Sequence, residues 1–197
     1  TEMAAKNARE EILIATTKAQ RSLKTLEWLQ RALELDAPPE RIEAFDISNL
    51  GDSGIVAGMT VFQHGRPRKS DYRKFRIRTT DGQNDYGAMH GDPGFCPLPD
   101  LLLIDGGAEH ASVAQAVLDG FGLSVPVFGM VKDDRHRTRA LITPGGHEIG
   151  IAANPAVFSF IGTIQEETHR FSIDYQRRLR RESLASELDQ IPGVGEK

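Results

Sequence analysis

The sequence predicts an α/β protein on a mixed sheet: a three-strand antiparallel meander runs into a βαβ unit, helices flank the sheet, and a long helix precedes it. Three observations predict this class. Leu101-Leu102-Leu103-Ile104, entered from Pro99 and closed by Asp105-Gly106-Gly107, is an unbroken apolar run, the pattern of a short strand covered on both faces. Upstream, Phe75 and Ile77 alternate with Lys74, Arg76 and Arg78, as in an antiparallel strand with one wet face. Downstream of Asp105 come a helical stripe and a second apolar run, and strand, helix, strand implies a parallel pair with a crossover.

The elements follow in order. Residues 3–35 read as one helix, because Ile12, Ala19, Leu26 and Leu33 recur every seven positions with Thr16, Leu23 and Gln30 between them, a single apolar seam on a charged rod. Ala37-Pro38-Pro39 ends it, and a domain boundary is placed there: 1–37 helix and linker, 38–187 the main domain. Strands are expected at Ile42 to Ser48, Ile55 to Phe62 and Tyr72 to Thr79, separated by glycine-rich turns. After the Asp105 strand, Ala114, Val117, Leu118 and Phe121 make the buried stripe of a helix over Ala108 to Phe121, followed by a strand at Val125 to Val131. Leu141 to Ile151 is a hairpin about Pro144-Gly145-Gly146. Asn154-Pro155 then starts a long helix with the stripe Val157, Phe160, Ile161, Ile164, Thr168, Phe171 and Tyr175. Residues 188–197 open a further element.

Composition bounds the function. The chain has 197 residues, 39% of them hydrophobic and 26% charged, enough for one sizeable core, and its net charge of −4 excludes a molecule coated in basic surface. A nucleic-acid ligand would need only a local positive face. The single cysteine, Cys96, rules out an internal disulfide and a Cys-x-x-Cys metal site. No run approaches the roughly 18 apolar residues of a membrane span, and Thr1 to Lys6 is not built like a signal peptide, so a cytoplasmic protein is expected.

The chemistry centres on two strands that end in a carboxylate, Asp46 and Asp105. In a meander that continues into βαβ, the first strand can lie beside the later parallel one and bring these acids face to face. Like charges so close repel unless a cation separates them, and hard oxygen donors suit Mg²⁺ or Mn²⁺. Such an ion readies a water and neutralises charge on a breaking phosphodiester. The other reading of Asp105 is a cap on the helix beginning at Ala108. His169 sits just off the apolar stripe of the long helix, on a face with Gln165, Ser172 and Ile173, and is either structural or a third site residue. Lys69, Arg73, Lys132 and Arg170 surround these positions, and Arg177 begins an arginine cluster beyond; they are candidate DNA-phosphate contacts, or a solvated face.

Five strings then appear in order: Arg-Ile-Glu-Ala-Phe-Asp-Ile-Ser-Asn (41–49), Lys-Ser-Asp-Tyr-Arg-Lys-Phe (69–75), Asn-Asp-Tyr-Gly-Ala-Met (84–89), Pro-Asp-Leu-Leu-Leu-Ile-Asp-Gly-Gly (99–107) and His-Arg-Phe-Ser-Ile (169–173). Together they resemble the C-terminal half of the UvrC family, which belongs to the bacterial excinuclease of nucleotide excision repair. The resemblance implies a ribonuclease H-like endonuclease domain that makes the incision 5′ to a DNA lesion. Its substrate would be damaged double-stranded DNA, and it would work with UvrB and indirectly UvrA. Carried over by motif, Asp46, Asp105 and His169 are the catalytic residues and metal ligands, with Asp85 a further acidic position that could instead cap a helix. Ile191-Pro192-Gly193-Val194-Gly195 is similar to the first hairpin of the family's terminal helix-hairpin-helix pair. Where the family usually runs a longer helix after Asn-Asp-Tyr-x-x-Met, Met89 here leads through His90-Gly91-Asp92-Pro93 straight toward the next strand, a segment either short in this protein or one from which residues are left out. Two alternatives stand beside this reading: a non-catalytic DNA-binding scaffold whose acids are caps and turn residues, and a nuclease of the same fold acting on RNA in hybrid.

Overall fold

The computed structural model describes residues 2–49, 55–77, 97–133 and 138–189. A long helix, α1 (Glu2–Ala32), precedes β1 (Arg41–Asn49) and β2 (Ile55–Gln63), which form a nine-residue antiparallel ladder from Arg41 opposite Gln63 to Asn49 opposite Ile55. The third meander strand is divided. β3 (Arg66–Pro67) and β4 (Arg73–Ile77) both pair with β2, with a 3-10 turn at Lys69–Asp71 between them. Pro67 has no N–H to give a further neighbour, which suits it to this outer edge. Residues 78 and 79, which the expected strand included, lie outside the described residues.

β5 (Leu101–Asp105), α2 (Ala108–Gly120) and β6 (Val127–Lys132) form the crossover unit; β5 runs parallel to both β1 and β6. β7 (Thr138–Ile142) and β8 (Glu148–Gly150) continue antiparallel, starting three residues before the expected hairpin, and α3 (Pro155–Asp189) closes the described chain. The sheet order is β3-β2-β1-β5-β6-β7-β8, with β4 beside β3 on the outer edge of β2. Asn154 caps α3, its Oδ1 accepting the N–H groups of Ala156 at 3.1 Å and Val157 at 3.2 Å.

Helices cover both faces, which is why β5 is apolar at four consecutive positions. Leu101 and Leu103 join Ile42, Ala44, Phe128 and Met130 under α1 and α3, whereas Leu102 and Ile104 join Val125 and Val127 under α2. The helix stripes differ from expectation in phase. Among the described side chains of α1 the buried ones are Leu26 and Leu29, with Leu33 just past its end, while Leu23 is 51% exposed. Leu26, Leu29 and Leu33 keep i, i+3, i+7 spacing, so the docked patch takes Leu29 on the opposite side of the seam from the expected Leu23 and Gln30. In α2 the packed residues are Ala111, Ala114 and Leu118, and Val117 and Phe121 face outward. Both choices have helical spacing, and only the sheet's position selects between them.

α3 departs more usefully. Val157, Ile161, Ile164 and Thr168 are buried as expected, but Gln165 and Ser172 are buried too, and Phe171 is only half-buried. The second half of the helix therefore presents polar groups to the sheet, and each is bonded. The hydroxyls of Thr168 and Thr60 share a 2.6 Å hydrogen bond, Thr138 donates to Gln165 Oε1 at 3.3 Å, and Ser172 donates to the Asp46 carbonyl at 3.3 Å. Phe171 instead meets the ring of Tyr72 edge-on with centroids 5.1 Å apart, under the Lys74 ammonium. No described helix is long and apolar enough to cross a membrane. Asp85, Cys96, the segment after Met89 and residues 190–197 lie outside the described residues.

Candidate active site

The register of β1 against β5 builds the site. Phe45 is opposite Ile104 in a parallel ladder, so the next residue on each strand is an aspartate, Asp46 and Asp105. By alternation both share the face of Ala44 and Leu103, beneath α3. Their side chains are 9% and 6% exposed, unusually enclosed for two neighbouring acids. Asp105 does not cap α2: the N-cap residue is Gly107, with no side-chain bond.

α3 brings the third residue. His169 Nδ1 lies 3.0 Å from Asp46 Oδ2 and 3.9 Å from Asp105 Oδ2, and half of its side chain remains exposed. The close approach of α3 depends on Gly58 of β2, directly across from Asp46. A Cβ there would stand 3.1 Å from Ser172 Cα and 3.3 Å from the Phe171 ring. Gly58→Ala should therefore push α3 outward, costing about 1–3 kcal/mol of stability in urea denaturation. Any nuclease activity should fall further than that loss explains, because His169 moves with Ser172. Gly129 has a parallel role on β6, where a Cβ would lie 2.5 Å from the Gly106 carbonyl oxygen and block the turn that follows Asp105. Neither glycine was singled out from the sequence, although a glycine inside an apolar strand is itself a sign of close backbone approach.

Burial pushes the Asp46 carboxyl above the usual carboxylate range; the bond to His169 draws it back, nearby Asp105 raises it again, and Ser48 lowers it. Asp105 has a different partner, for Lys132 Nζ lies 2.8 Å from its Oδ1 and 2.9 Å from its Oδ2. Asp46, Asp105 and His169 each offer one ligand atom, all within 4.8 Å of one another. Ligands about 2.1 Å from an octahedral divalent ion stand about 3 Å apart when adjacent and about 4 Å apart when opposite, and the 3.0 and 3.9 Å from His169 Nδ1 to the two carboxylates fall in that range.

A groove of about 530 Å³ opens from His169 along α3, lined among others by Lys132, Arg170, Ile173 and Arg177. Three of the five expected phosphate contacts therefore lie in one channel with the candidate site. Arg170 forks onto the largely buried Glu167 carboxylate at 2.8 and 3.1 Å and also pairs with the exposed Asp174 at 3.4 Å, the weaker contact that an anionic ligand would displace first. Lys69 and Arg73 do not line this groove, because the strands order as β4-β2-β1-β5 and two of them separate these residues from Asp105. Arg73 Nη1 donates to the carbonyls of Ser70 and Tyr72, bracing the 3-10 turn.

The family model described as the UvrC RNase H endonuclease domain matches residues 30–173. The chain belongs to this family. UvrABC system protein C of Ruminiclostridium cellulolyticum is 42% identical over 187 residues, covering 85% of this chain and 30% of that protein. The same-named protein of Caldicellulosiruptor saccharolyticus is 41% identical over 210 residues, covering all of this chain and 34% of that protein. The chain thus spans about a third of the length of the curated relatives it matches. Among solved structures, human ENDOV aligns with a TM-score of 0.43 at 11% identity, covering 76% of this chain and 90% of that one. Endonuclease V of Ciona intestinalis, in complex with a 24mer DNA containing an inosine followed by a ribo-adenosine, aligns with a TM-score of 0.45 at 10% identity, covering 78% and 98%. Within the UvrC-family match fall Asp46, Asp105, Lys132 and His169, whereas Arg177 lies beyond it.

Proposed function

We propose that this domain is the metal-dependent DNA endonuclease of a UvrC protein and makes the incision 5′ to a lesion in nucleotide excision repair. The convergence of Asp46, Asp105 and His169 at the end of a parallel strand pair carries this reading, within a chain of the UvrC endonuclease family. Asp46, Asp105 and His169 would hold Mg²⁺ or Mn²⁺, which supplies an activated water and neutralises charge on the scissile phosphate. Asp105 and Asp46 are fixed by their strands, and His169 is fixed by α3 against Asp46, so the donors are preorganised before any substrate arrives. His169, half-exposed toward the groove, is also placed to exchange a proton with a bound strand.

In this reading Lys132, Arg170 and Arg177 hold phosphates along α3, so the strand runs past the metal site rather than ending on it. Lys69 and Arg73 would serve a second contact on the β4 edge, and Asp85 a supporting acidic role. The nuclease domain would take in residues 38–187 together with the docked end of α1, with a helix-hairpin-helix module opening at 188–197. Damaged double-stranded DNA delivered by UvrB, itself loaded through UvrA, would be the substrate, in the cytoplasm.

The test is incision by the full-length protein with UvrA and UvrB on a lesion-bearing duplex and on an RNA/DNA hybrid. The 5′ cut should require added Mg²⁺ or Mn²⁺, vanish on chelation and return on refilling. Cutting that persists after chelation, or a preference for the hybrid, would refute the assignment.

A further inference from the structure

Lys132 lies nearer to a candidate metal ligand than any phosphate contact should. Its ammonium spans both oxygens of the Asp105 carboxylate at 2.8 and 2.9 Å, while the Asp105 side chain is 6% exposed and that of Lys132 is 31% exposed. Lys132 also lines the groove, so one cation touches both Asp105 and the surface on which a polyanion would lie. Two carboxylates this enclosed and this close repel one another unless a positive charge stands by them, and the described structure supplies one from the chain itself. A lysine is suited to a removable role: its charge is compact and its four-carbon stem swings freely, unlike the flat fork of arginine. Arg170 and Arg177 line the same groove, so an ammonium leaving Asp105 remains on the surface where a polyanion would lie.

We propose that Lys132 is the resident counter-ion of the acidic pair, holding Asp105 when no metal is bound and giving way to the divalent ion. This rests on the metal-site reading above and adds that the site is charge-balanced in two alternating ways. Both cations cannot share Asp105 without repulsion: a unit charge about 5 Å from a divalent one opposes it by more than 1 kcal/mol even in water-like dielectric, a tenfold effect or more. Each therefore weakens the other by the same factor, as linkage requires. An ion enters against Lys132, and its entry frees an ammonium into the groove.

The experiment is Mn²⁺ titration by calorimetry, at fixed ionic strength, of the wild-type chain, Lys132→Gln, Lys132→Arg and Asp46→Asn. Lys132→Gln should bind Mn²⁺ at least about tenfold more tightly than wild type, and Lys132→Arg, which keeps the charge, should restore the weaker binding. Equal or weaker Mn²⁺ binding by Lys132→Gln overturns the exchange while leaving the metal site standing. A wild type that binds no Mn²⁺, or binding untouched in Asp46→Asn, refutes the metal site and the exchange together. Should Lys132→Gln fail to fold, the wild type supplies a second readout in the ¹⁵N resonance of the Lys132 ammonium during Mg²⁺ titration. That signal should move toward a free lysine's position as the site fills; a resonance unchanged at saturation overturns the proposal.

Discussion

Asp46→Asn should abolish the metal-dependent 5′ cut, lowering its rate by about 10³-fold or more, since an ion worth several kcal/mol of charge stabilisation in the transition state loses a ligand. The replacement keeps shape and burial, so the fold should survive. Thermal denaturation without metal should show equal or higher stability, because burial and Asp105 both disfavour a charge at this position. Asp105→Asn should lose the cut as severely but without that gain, since it deprives Lys132 of its partner. Any incision that the full-length protein makes outside this domain should continue in both variants and serves as the internal control. Normal 5′ cutting by either variant would sink the assignment.

Arg41→Leu should give the largest loss of stability, about 3–5 kcal/mol, enough to threaten a domain whose whole margin is roughly 5–15 kcal/mol. Arg41 and Glu43 stand on one face of β1, each 5% exposed, and the guanidinium bonds Glu43 Oε1 through Nε at 3.0 Å and Nη2 at 2.8 Å, and Asp71 through Nη1 at 2.8 Å. Removing it strands the Glu43 carboxylate inside the protein. Arg41→Leu combined with Glu43→Leu should recover most of the loss, as apolar replacements of buried ion pairs often do.

The deficit should also depend on pH. Burial already holds the Glu43 carboxyl above its usual range, and without Arg41 it rises further. A raised carboxylate favours the fold below the unfolded value of about 4.3 and loses that contribution as pH rises through the folded one, so the variant should recover in acid. Asp71, held below its usual range chiefly by the bond from Arg41, contributes stability to the wild type above about 3.9 and loses it as pH falls through the folded value. Urea unfolding of the two proteins from pH 7 to 4 should therefore show their gap narrowing. A constant gap would mean that Glu43 is not the source of the loss.

Sheet membership was readable because period and polarity are local properties. The unbroken apolar run at Leu101 to Ile104 demanded cover on both sides, and the carboxylate at its end had no packing reason to be there. The pairing of Asp46 with Asp105 followed from topology, since a parallel β1 and β5 set Phe45 opposite Ile104 and so bring the next residue of each together. β1 does not end at Asp46 as expected but runs on to Asn49 against β2. His169 was marked by its motif more than by its position, for one histidine beside an apolar stripe is ordinary. The burial of Leu29, and of Gln165 and Ser172 on the face of His169, was missed because neighbouring positions on a helix offer equally periodic faces. Lys132 was assigned to phosphate alone because strand spacing does not say how far a long side chain reaches.

By itself the sequence determined the mixed α/β class, the order of its strands along the chain and the two acids, Asp46 and Asp105, that stand on two of them, because these follow from residue type and spacing along one chain. Tertiary structure decided which face of each helix is buried, that Gly58 admits α3, that Lys69 and Arg73 lie apart from the groove, and that Lys132 sits on Asp105. Those depend on distances between elements far apart in the chain, set by packing, and periodicity within one element carries no measure of them.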